Sequence, residues 1–273
     1  MWYLKEICLW LFNIFRRLFY RKTVIKEIAG IKYELDLSEN IDSNLYFRGY
    51  WEKNTHQLLE DILEPNFLVF EVGSNIGAHT FRIAKKLTHG MVYAFEPTQY
   101  AFTKLSRNYS LNNFDNIDLN NIALSNQEKS QKIKRYIDSS TLPFKASWDL
   151  KGKIINELVP PEENIIFKTL DNFVLKRKIK KIDLIKIDTD GYELKVIEGG
   201  LKTLTDFSPM IIIELGRTLN RIGDNVEDLI NILIGLEYKF FSIPNKREFL
   251  SKNEIIKELD KFRTFDCLCL KNN

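Results

Sequence analysis

The stretch Phe70–Gly77, with the sequence FEVGSNIG, decides the fold of this 273-residue chain. A hydrophobic run ends in the acidic Glu71, and two glycines, Gly73 and Gly77, then break the pattern. The run predicts a buried strand, and the glycines predict a tight turn into a helix. In a doubly wound α/β sheet, ligands bind at such turns, beyond the carboxyl ends of the strands. The stretch therefore predicts both an architecture and the position of a binding site.

The same stretch restricts the chemistry of the ligand. A dinucleotide fingerprint has a glycine where this chain has Asn75, so pyrophosphate binding is disfavoured. A P-loop is excluded, because no Gly-Lys-Ser/Thr triplet follows the turn. S-adenosylmethionine carries a sulfonium, an ammonium and a ribose diol but no phosphate. We therefore expect this cofactor at the turn.

The next strand supplies a second acidic residue. In the motif AFEP, Glu96 stands where the strand ends, and Pro97 begins the following segment. A carboxylate at this position can accept hydrogen bonds from both hydroxyls of a ribose, as the comparable acid does in dinucleotide sites. Together with the glycine turn, Glu96 predicts a cofactor that contains a nucleoside.

Strand and helix patterns alternate through most of the chain. They predict a Rossmann-like α/β fold with a mainly parallel sheet, preceded by a hairpin that turns at Ala29 and Gly30. Helical spacing predicts helices that include Asn54–Leu63, Tyr192–Leu204 and Val226–Leu236. Hydrophobic runs predict strands at FLVFEVG, MVYAFE, IDLNNIAL, KIDLIKID, MIIIEL, YKFFSI and FDCLCL. Ser139–Asn164 has no clear period, and we interpret it as an insertion that faces the substrate.

Composition excludes little but fits a protein of the cytoplasm. The net charge of +3 is the small difference between 40 basic and 37 acidic residues, so we expect no nucleic-acid partner. Three cysteines, Cys8, Cys267 and Cys269, and three histidines leave little material for a zinc site, and we expect no metal centre. The cysteine usage fits a reducing compartment.

Residues 1–22, MWYLKEICLWLFNIFRRLFYRK, differ in composition from the rest of the chain. Their spacing predicts an amphipathic helix with a narrow polar stripe. The uninterrupted apolar run is far shorter than the about 20 residues needed to cross a bilayer. Aromatic and basic side chains, among them Arg16, Arg17, Arg21 and Lys22, suit the headgroup region. We predict binding to the cytoplasmic membrane face, with packing on the protein itself or on a second subunit as the alternative.

Five blocks follow one another between about Tyr46 and Leu215: FEVGSNIGAHT, VYAFEPTQYAFTKLSRNYSLNN, NIALSN, KTLDNF and IDLIKIDTDGYELKVIEGG. In content and order they resemble the FkbM family of S-adenosylmethionine-dependent methyltransferases. The resemblance implies the class I methyltransferase fold, a seven-stranded sheet with one reversed strand, and methyl transfer to a hydroxyl of a sugar, glycolipid or polyketide. It also implies contacts with the cofactor: the methionine end at Glu71, Gly73, Ser74, Asn75 and Gly77, the ribose at Glu96, the adenine at Ala123 and Leu124, and the transferable methyl at Asp188.

Methyl transfer to an alcohol is helped by a base, which can contribute about 10²- to 10⁴-fold. Asp188 is our first candidate for this base, followed by Asp190 and His79, with Glu193 and Glu52 as further candidates. Asp190 and Glu193 also have the spacing of a helix capping box, and the family usually shows D-V-E-G where this chain has DTDG. Because oxygen ligands suit Mg²⁺, a bound magnesium ion is an alternative way to activate a sugar diol.

These interpretations combine into one prediction. Residues 1–22 form the amphipathic helix, residues 23–66 a hairpin and cover segment, and residues 67–273 the methyltransferase domain. The expected function is S-adenosylmethionine-dependent O-methylation of a sugar hydroxyl in a glycan or lipid-linked glycan, so the expected partner is a saccharide or glycolipid acceptor. The alternatives are a methyltransferase of a small secondary metabolite and a non-catalytic module of the same fold at the membrane.

Overall fold

A computed structural model describes residues 23–133, 163–216, 219, 223–262 and 264–271. The amphipathic segment of residues 1–22 and nearly all of Ser139–Asn164 lie outside these ranges. The strands are β1 (Thr23–Ile28), β2 (Ile31–Asp36), β3 (Leu68–Val72), β4 (Met91–Phe95), β5 (Ile117–Asn120), β6 (Ala123–Leu124), β7 (Lys129–Ile133), β8 (Glu163–Lys168), β9 (Leu184–Ile187), β10 (Met210–Gly216), β11 (Tyr238–Ser242), β12 (Glu248–Phe249) and β13 (Thr264–Lys271).

Helices alternate with these strands through most of the described chain. They are α1 (Asn40–Arg48), α2 (Lys53–Ile62), α3 (Thr80–Lys86), α4 (Gln99–Ser110), α5 (Leu170–Arg177), α6 (Glu193–Glu198), α7 (Leu201–Phe207), α8 (Val226–Gly235) and α9 (Lys252–Lys261). No helix of the described residues is long and apolar enough to cross a membrane.

The main sheet has the strand order β12-β11-β13-β10-β9-β3-β4-β5. Strands β10, β9, β3, β4 and β5 are mutually parallel, and β13 runs antiparallel to both β10 and β11. The seven strands from β11 to β5, with β13 reversed, form the sheet that the resemblance implied. The two-residue strand β12 adds an eighth, antiparallel strand at the edge.

Hydrophobic side chains cover both faces of the sheet, as expected for a parallel sheet between helices. Phe70 of β3 and Ile185 of β9 belong to a first core with helices α5 to α9. Val69 and Leu184, their neighbours along the chain, belong to a second core with the hairpin and helices α1 to α4. Because successive side chains of a strand point to opposite faces, this alternation fixes which residues of each strand lie under α2 and α3.

The predicted hairpin is present as strands β1 and β2. Ala29 and Gly30 have φ values of 51° and 76°, which suit the two central positions of a tight hairpin turn. Ile31, Tyr33 and Leu35 alternate toward the second core, where they are fully buried. The hairpin therefore packs on the same face of the sheet as α2 and α3.

Two predicted elements are wrong in their extent. The expected strand IDLNNIAL divides into β5 and β6, because the Asn121 side chain donates to the carbonyl oxygens of Glu96 and Pro97 and the chain leaves the main sheet. The short β6 pairs instead with β8 in a separate sheet of order β6-β8-β7. The expected helix Tyr192–Leu204 divides into α6 and α7 at Gly199, where a Cβ atom would lie 2.0 Å from the carbonyl oxygen of Ser125.

Candidate active site

The turn after β3 packs tightly against the protein itself. Gly73 has a φ of 92°, and a Cβ atom there would lie 1.8 Å from the carbonyl oxygen of Asp188. Gly77 has a φ of 91°, and a Cβ atom there would lie 2.2 Å from the Phe81 ring. Both glycines are therefore required by internal packing. The sequence interpretation, in which the bare backbone serves the ligand, misses this reason.

The turn also holds Glu96 at the end of β4. The backbone N–H of Asn75 donates to Glu96 Oε2 at 3.1 Å. The backbone N–H and the hydroxyl of Thr98 donate to Glu96 Oε1 at 2.9 Å and 2.6 Å. These contacts fix the carboxylate at the carboxyl edge of the sheet, beside the turn, as the sequence predicted.

A row of ionisable side chains continues from the turn across four strands. We call Glu71, Lys186, Asp188, Glu214 and Asp266 the polar row. The register pairs Glu71 with Lys186 and Glu214 with Asp266, and it places Glu214 beside Asp188 one residue beyond the last pair of β9 and β10. Paired residues and residues two apart along a strand share a face, so the whole row lies on the face covered by α2 and α3.

Lys186 is the cation of the polar row. Its side chain is 3% exposed, and its Nζ lies 2.9 Å from Asp188 Oδ2 and 3.8 Å from Glu52 Oε2. Burial alone disfavours an ammonium, but the carboxylates of Asp188 and Glu52 outweigh it and raise the pKa of Lys186 above its ordinary value. The lysine is thus charged, and it links the end of β9 to the residue that precedes α2.

Glu71 is the most deeply buried acid of the row. Its Oε2 accepts a hydrogen bond of 2.5 Å from the Thr80 hydroxyl at the start of α3. Burial raises the pKa of Glu71 to about 7, against the lowering effect of the Lys186 ammonium. Because the side chain is 1% exposed, this acid lies beneath the turn and supports it from inside the protein.

His79 faces the polar row from the N-cap position of α3. Its Nε2 lies 3.0 Å from Glu52 Oε2. Burial, reinforced by the Lys186 ammonium, lowers the pKa of His79 to about 3, so the imidazole is neutral at pH 7. With Nε2 donating to Glu52, the buried Nδ1 is an acceptor without a hydrogen-bond partner among the described residues.

Glu214 and Asp266 complete the row at its far end. Burial, together with the negative charges of Asp188 and Glu193, raises the pKa of Glu214 to about 8. Burial and the charge of Glu52 raise the pKa of Asp266 to about 6. The hydroxyl of Thr55, from α2, donates to Asp266 Oδ2. Each of these two acids therefore titrates close to neutral pH.

Two of the predicted catalytic acids lie apart from this row. Asp190 is exposed in the loop between β9 and α6, with a φ of 55°. Glu193 is fully buried, and its Oε1 accepts from the backbone N–H groups of Thr189 and Gly191 and from the Thr189 hydroxyl. Through these hydrogen bonds Glu193 fixes the backbone of the loop before α6 at Thr189 and Gly191.

The predicted adenine segment lies close to Glu96. Ala123 is partly exposed, whereas the Leu124 side chain is buried in the first core. Asn121 ties the start of this segment to the backbone of Glu96 and Pro97. An adenine ring would therefore meet Ala123 rather than the Leu124 side chain, and this contact stays a prediction.

Sequence reasoning about the site missed Lys186, Thr55, Thr80 and Asp266, and it left Glu214 open between the lining of an acceptor pocket and a solvated acid at the end of a strand. A signal was available for three of them. Lys186, Glu214 and Asp266 are charged residues inside otherwise hydrophobic strands, where an ionisable side chain is rare unless it is paired.

The site fits the cofactor predicted from the sequence. Asn75 Oδ1 and His79 Nδ1 are buried acceptors that lack a hydrogen-bond partner in the described part of the chain. S-adenosylmethionine offers hydroxyl and ammonium donors, and the carboxylates of the polar row complement its sulfonium charge. No group of three or more His, Cys, Asp or Glu side chains in the described ranges is arranged to hold a metal ion, and the Mg²⁺ alternative stays untested.

The sheet topology, the glycine turn and the acid after β4 define the class I fold of S-adenosylmethionine-dependent methyltransferases. A family model described as a methyltransferase FkbM domain matches residues 71–241. The chain belongs to the FkbM methyltransferase family, and it has the fold of S-adenosylmethionine-dependent methyltransferases.

Curated relatives are distant. The hexuronic acid methyltransferase AglP of Haloferax volcanii is 27% identical over 199 residues, which cover 71% of this chain and 75% of the relative. Methyltransferase 1 of Beauveria bassiana is 24% identical over 56% of this chain and 65% of its own length. The 2-O-methyltransferase NoeI of Sinorhizobium fredii is 26% identical over 55% of this chain and 64% of its own length. The chain thus spans about two thirds of these relatives.

Among solved structures, the methyltransferase FkbM of Methylobacillus flagellatus is similar to this chain with a TM-score of 0.47 and 16% identity. The similarity covers 85% of this chain and 48% of that protein.

Proposed function

We propose that the protein transfers a methyl group from S-adenosylmethionine to a hydroxyl of a sugar, in a glycan or a lipid-linked glycan. The observation that carries this proposal is the polar row beside Glu96. Its outer carboxyl groups, Asp188, Glu214 and Asp266, are partly exposed. Carboxylates are strong acceptors for hydroxyl hydrogen bonds, so such a surface suits an acceptor with several hydroxyls.

The names of two relatives support a sugar acceptor. AglP is a hexuronic acid methyltransferase, and NoeI is a 2-O-methyltransferase. At 27% and 26% identity these relatives do not define the acceptor of this chain. The acidic character of the polar row favours a neutral hydroxyl over a carboxylate as the group that is methylated, because like charges repel.

Different residues of the chain would bind the cofactor and orient the acceptor. Glu96 would hold the ribose and Ala123 the adenine, while Ser74, Asn75 and the backbone of the glycine turn would hold the methionine end. When bound, S-adenosylmethionine supplies an activated methyl group on a good leaving group. The polar row orients the acceptor oxygen toward that methyl, and alignment of the reacting atoms is the main requirement of such a displacement. The segment around Glu52 and α2 limits the access of water to the row.

An acceptor assay tests this function. The purified full-length protein is incubated with S-adenosylmethionine and with neutral nucleotide sugars, uronate nucleotide sugars or lipid-linked oligosaccharides, and S-adenosylhomocysteine and methylated products are measured. We expect methylation of a neutral sugar hydroxyl, and its loss in Asp188→Asn with retention in Glu64→Ala, an exposed site. Methylation of a non-sugar metabolite alone would contradict the sugar acceptor, and cofactor binding without any transfer would favour a non-catalytic module.

The membrane association is a separate part of the proposal. Residues 1–22 would bring the enzyme to lipid-linked acceptors through their aromatic and basic side chains. Deletion of these residues is expected to move the protein from sedimenting vesicles that contain anionic lipid into the supernatant. Replacement of Arg16, Arg17, Arg21 and Lys22 by glutamine provides a matched test of charge, and unchanged sedimentation of both variants would contradict the proposal.

A further inference from the structure

Glu214 occupies a special position in the polar row. It lies near the carboxyl end of β10, beside Asp188, which follows β9, and directly opposite Asp266 of β13. Unlike Glu71, which is 1% exposed, it is partly accessible. The side chain is thus within reach of a molecule at the carboxyl edge of the sheet.

The other ionisable groups of the site are less suited to accept a proton. Asp188 Oδ2 is already paired with the Lys186 ammonium at 2.9 Å. His79 is buried, and the low pKa of its imidazole makes it a weak base. Asp190 is exposed to solvent. Asp266 is engaged by the Thr55 hydroxyl.

We propose that Glu214 is the catalytic residue that accepts the proton of the acceptor hydroxyl, while Asp188 orients that hydroxyl. This assignment deepens the proposed O-methyl transfer and rests on it. As the oxygen of the acceptor forms its bond with the methyl carbon, the carbon–sulfur bond breaks and its electron pair stays on sulfur. The hydroxyl proton moves to the Glu214 carboxylate, and it is later released to solvent.

The charges around Glu214 adjust its basicity. Burial disfavours the ionised form of Glu214, and the negative charges of Asp188 just beyond β9, Glu193 on α6 and Asp266 on β13 add to this effect. Together they raise the pKa of Glu214 to about 8, which is close to the working pH expected of an efficient general base. The ionised fraction of Glu214 therefore increases as the pH rises toward 8, and so does the expected rate.

The first test needs no acceptor. Full-length protein labelled with ¹³C in the glutamate carboxyl groups is titrated by NMR in the presence of S-adenosylhomocysteine, and Glu214→Gln identifies the Glu214 signal. We expect this signal to titrate with a pKa near 8. A midpoint in the ordinary range for glutamate, about 4.3, would overturn the proposal by itself.

The second test uses the acceptor found in the assay above. We expect Glu214→Gln to lower kcat by about 10²- to 10⁴-fold and to remove the rise of the rate toward pH 8, while the Kd for S-adenosylmethionine stays within about threefold of the wild-type value. Glu214→Asp, which keeps the acid, should recover part of the activity, and Glu64→Gln should match the wild type. Wild-type activity and pH dependence in a folded Glu214→Gln variant would overturn the proposal. Absence of transfer by the wild-type enzyme would instead contradict the proposed function.

Discussion

The ammonium of Lys186 lies 2.9 Å from the carboxylate of Asp188, at the carboxyl end of the central strand β9. Every residue of β9 is buried, and Lys186 is its only charged member. Lys186 Nζ also lies 3.8 Å from Glu52 Oε2, and this oxygen contacts His79 Nε2. The residue before α2 is thereby connected to the strand that ends at the candidate active site.

We expect Lys186→Met to destabilise the protein by about 1–3 kcal/mol, because the partly exposed carboxylates of Asp188 and Glu52 lose their buried cationic partner. Urea denaturation measures the change in the free energy of unfolding. The double variant Lys186→Met with Asp188→Asn should recover part of the loss, since both charges are then absent.

Lys202 provides the matched control for Lys186. It also pairs with an aspartate, Asp206, but its side chain is 75% exposed. Lys202→Met should leave the free energy of unfolding close to the wild-type value, because exposed ion pairs contribute little to stability. Equal effects of the two lysine substitutions would contradict the importance of burial.

We expect Gly73→Ala to destabilise the fold by about 1–3 kcal/mol or more, because the new methyl group would overlap the Asp188 carbonyl oxygen. This overlap would push β3 away from the end of β9, and that displacement should weaken cofactor binding. Thermal unfolding and calorimetric titration measure the two effects.

Gly235, at the end of α8, provides the matched control for Gly73. A Cβ atom added there would have no neighbouring side chain or loop atom of the described residues within 4 Å. Gly235→Ala should therefore be neutral or stabilising. A Gly73→Ala variant with wild-type stability and cofactor affinity would contradict the close packing of the turn after β3 against Asp188.

Stability should depend on pH through Glu71. Burial raises the pKa of this acid to about 7, so between its unfolded pKa and pH 7 the native state holds a proton that the unfolded chain has lost. The stabilisation from Glu71 is therefore complete below about pH 4.3 and is lost as the pH rises through 7. In Glu71→Gln, the decrease in the free energy of unfolding from pH 5 to pH 8 should be smaller by up to about 3 kcal/mol. Identical pH profiles of the two proteins would refute the raised pKa.

Much of the fold is encoded in local patterns. The buried strands at Phe70 and Ile185, the hairpin turn at Ala29 and Gly30, and the acid after β4 all follow from hydrophobicity, glycine conformation and position. These features suffice to predict a doubly wound sheet and the edge at which its ligand binds. The two divided elements were missed because they depend on contacts distant in sequence, such as that of Gly199 with Ser125.

The candidate site could be predicted only in part for the same reason. Glu96 and the glycine turn are close in sequence, and their hydrogen bond joins residues 21 positions apart. The polar row instead unites residues from β3 to β13, and its register depends on where the reversed strand enters the sheet. Thr55 and Asp266 are 211 positions apart, and no sequence spacing indicates their contact.

Cofactor binding at Glu96 is the central claim, and calorimetric titration of the full-length protein with S-adenosylmethionine and S-adenosylhomocysteine tests it most directly. We expect wild-type protein and Glu64→Ala to bind with a Kd in the micromolar range, about −8 kcal/mol, and Glu96→Ala to lose at least about tenfold in affinity while staying folded. Absence of binding by the folded wild-type protein, or undiminished binding by Glu96→Ala, would contradict the account.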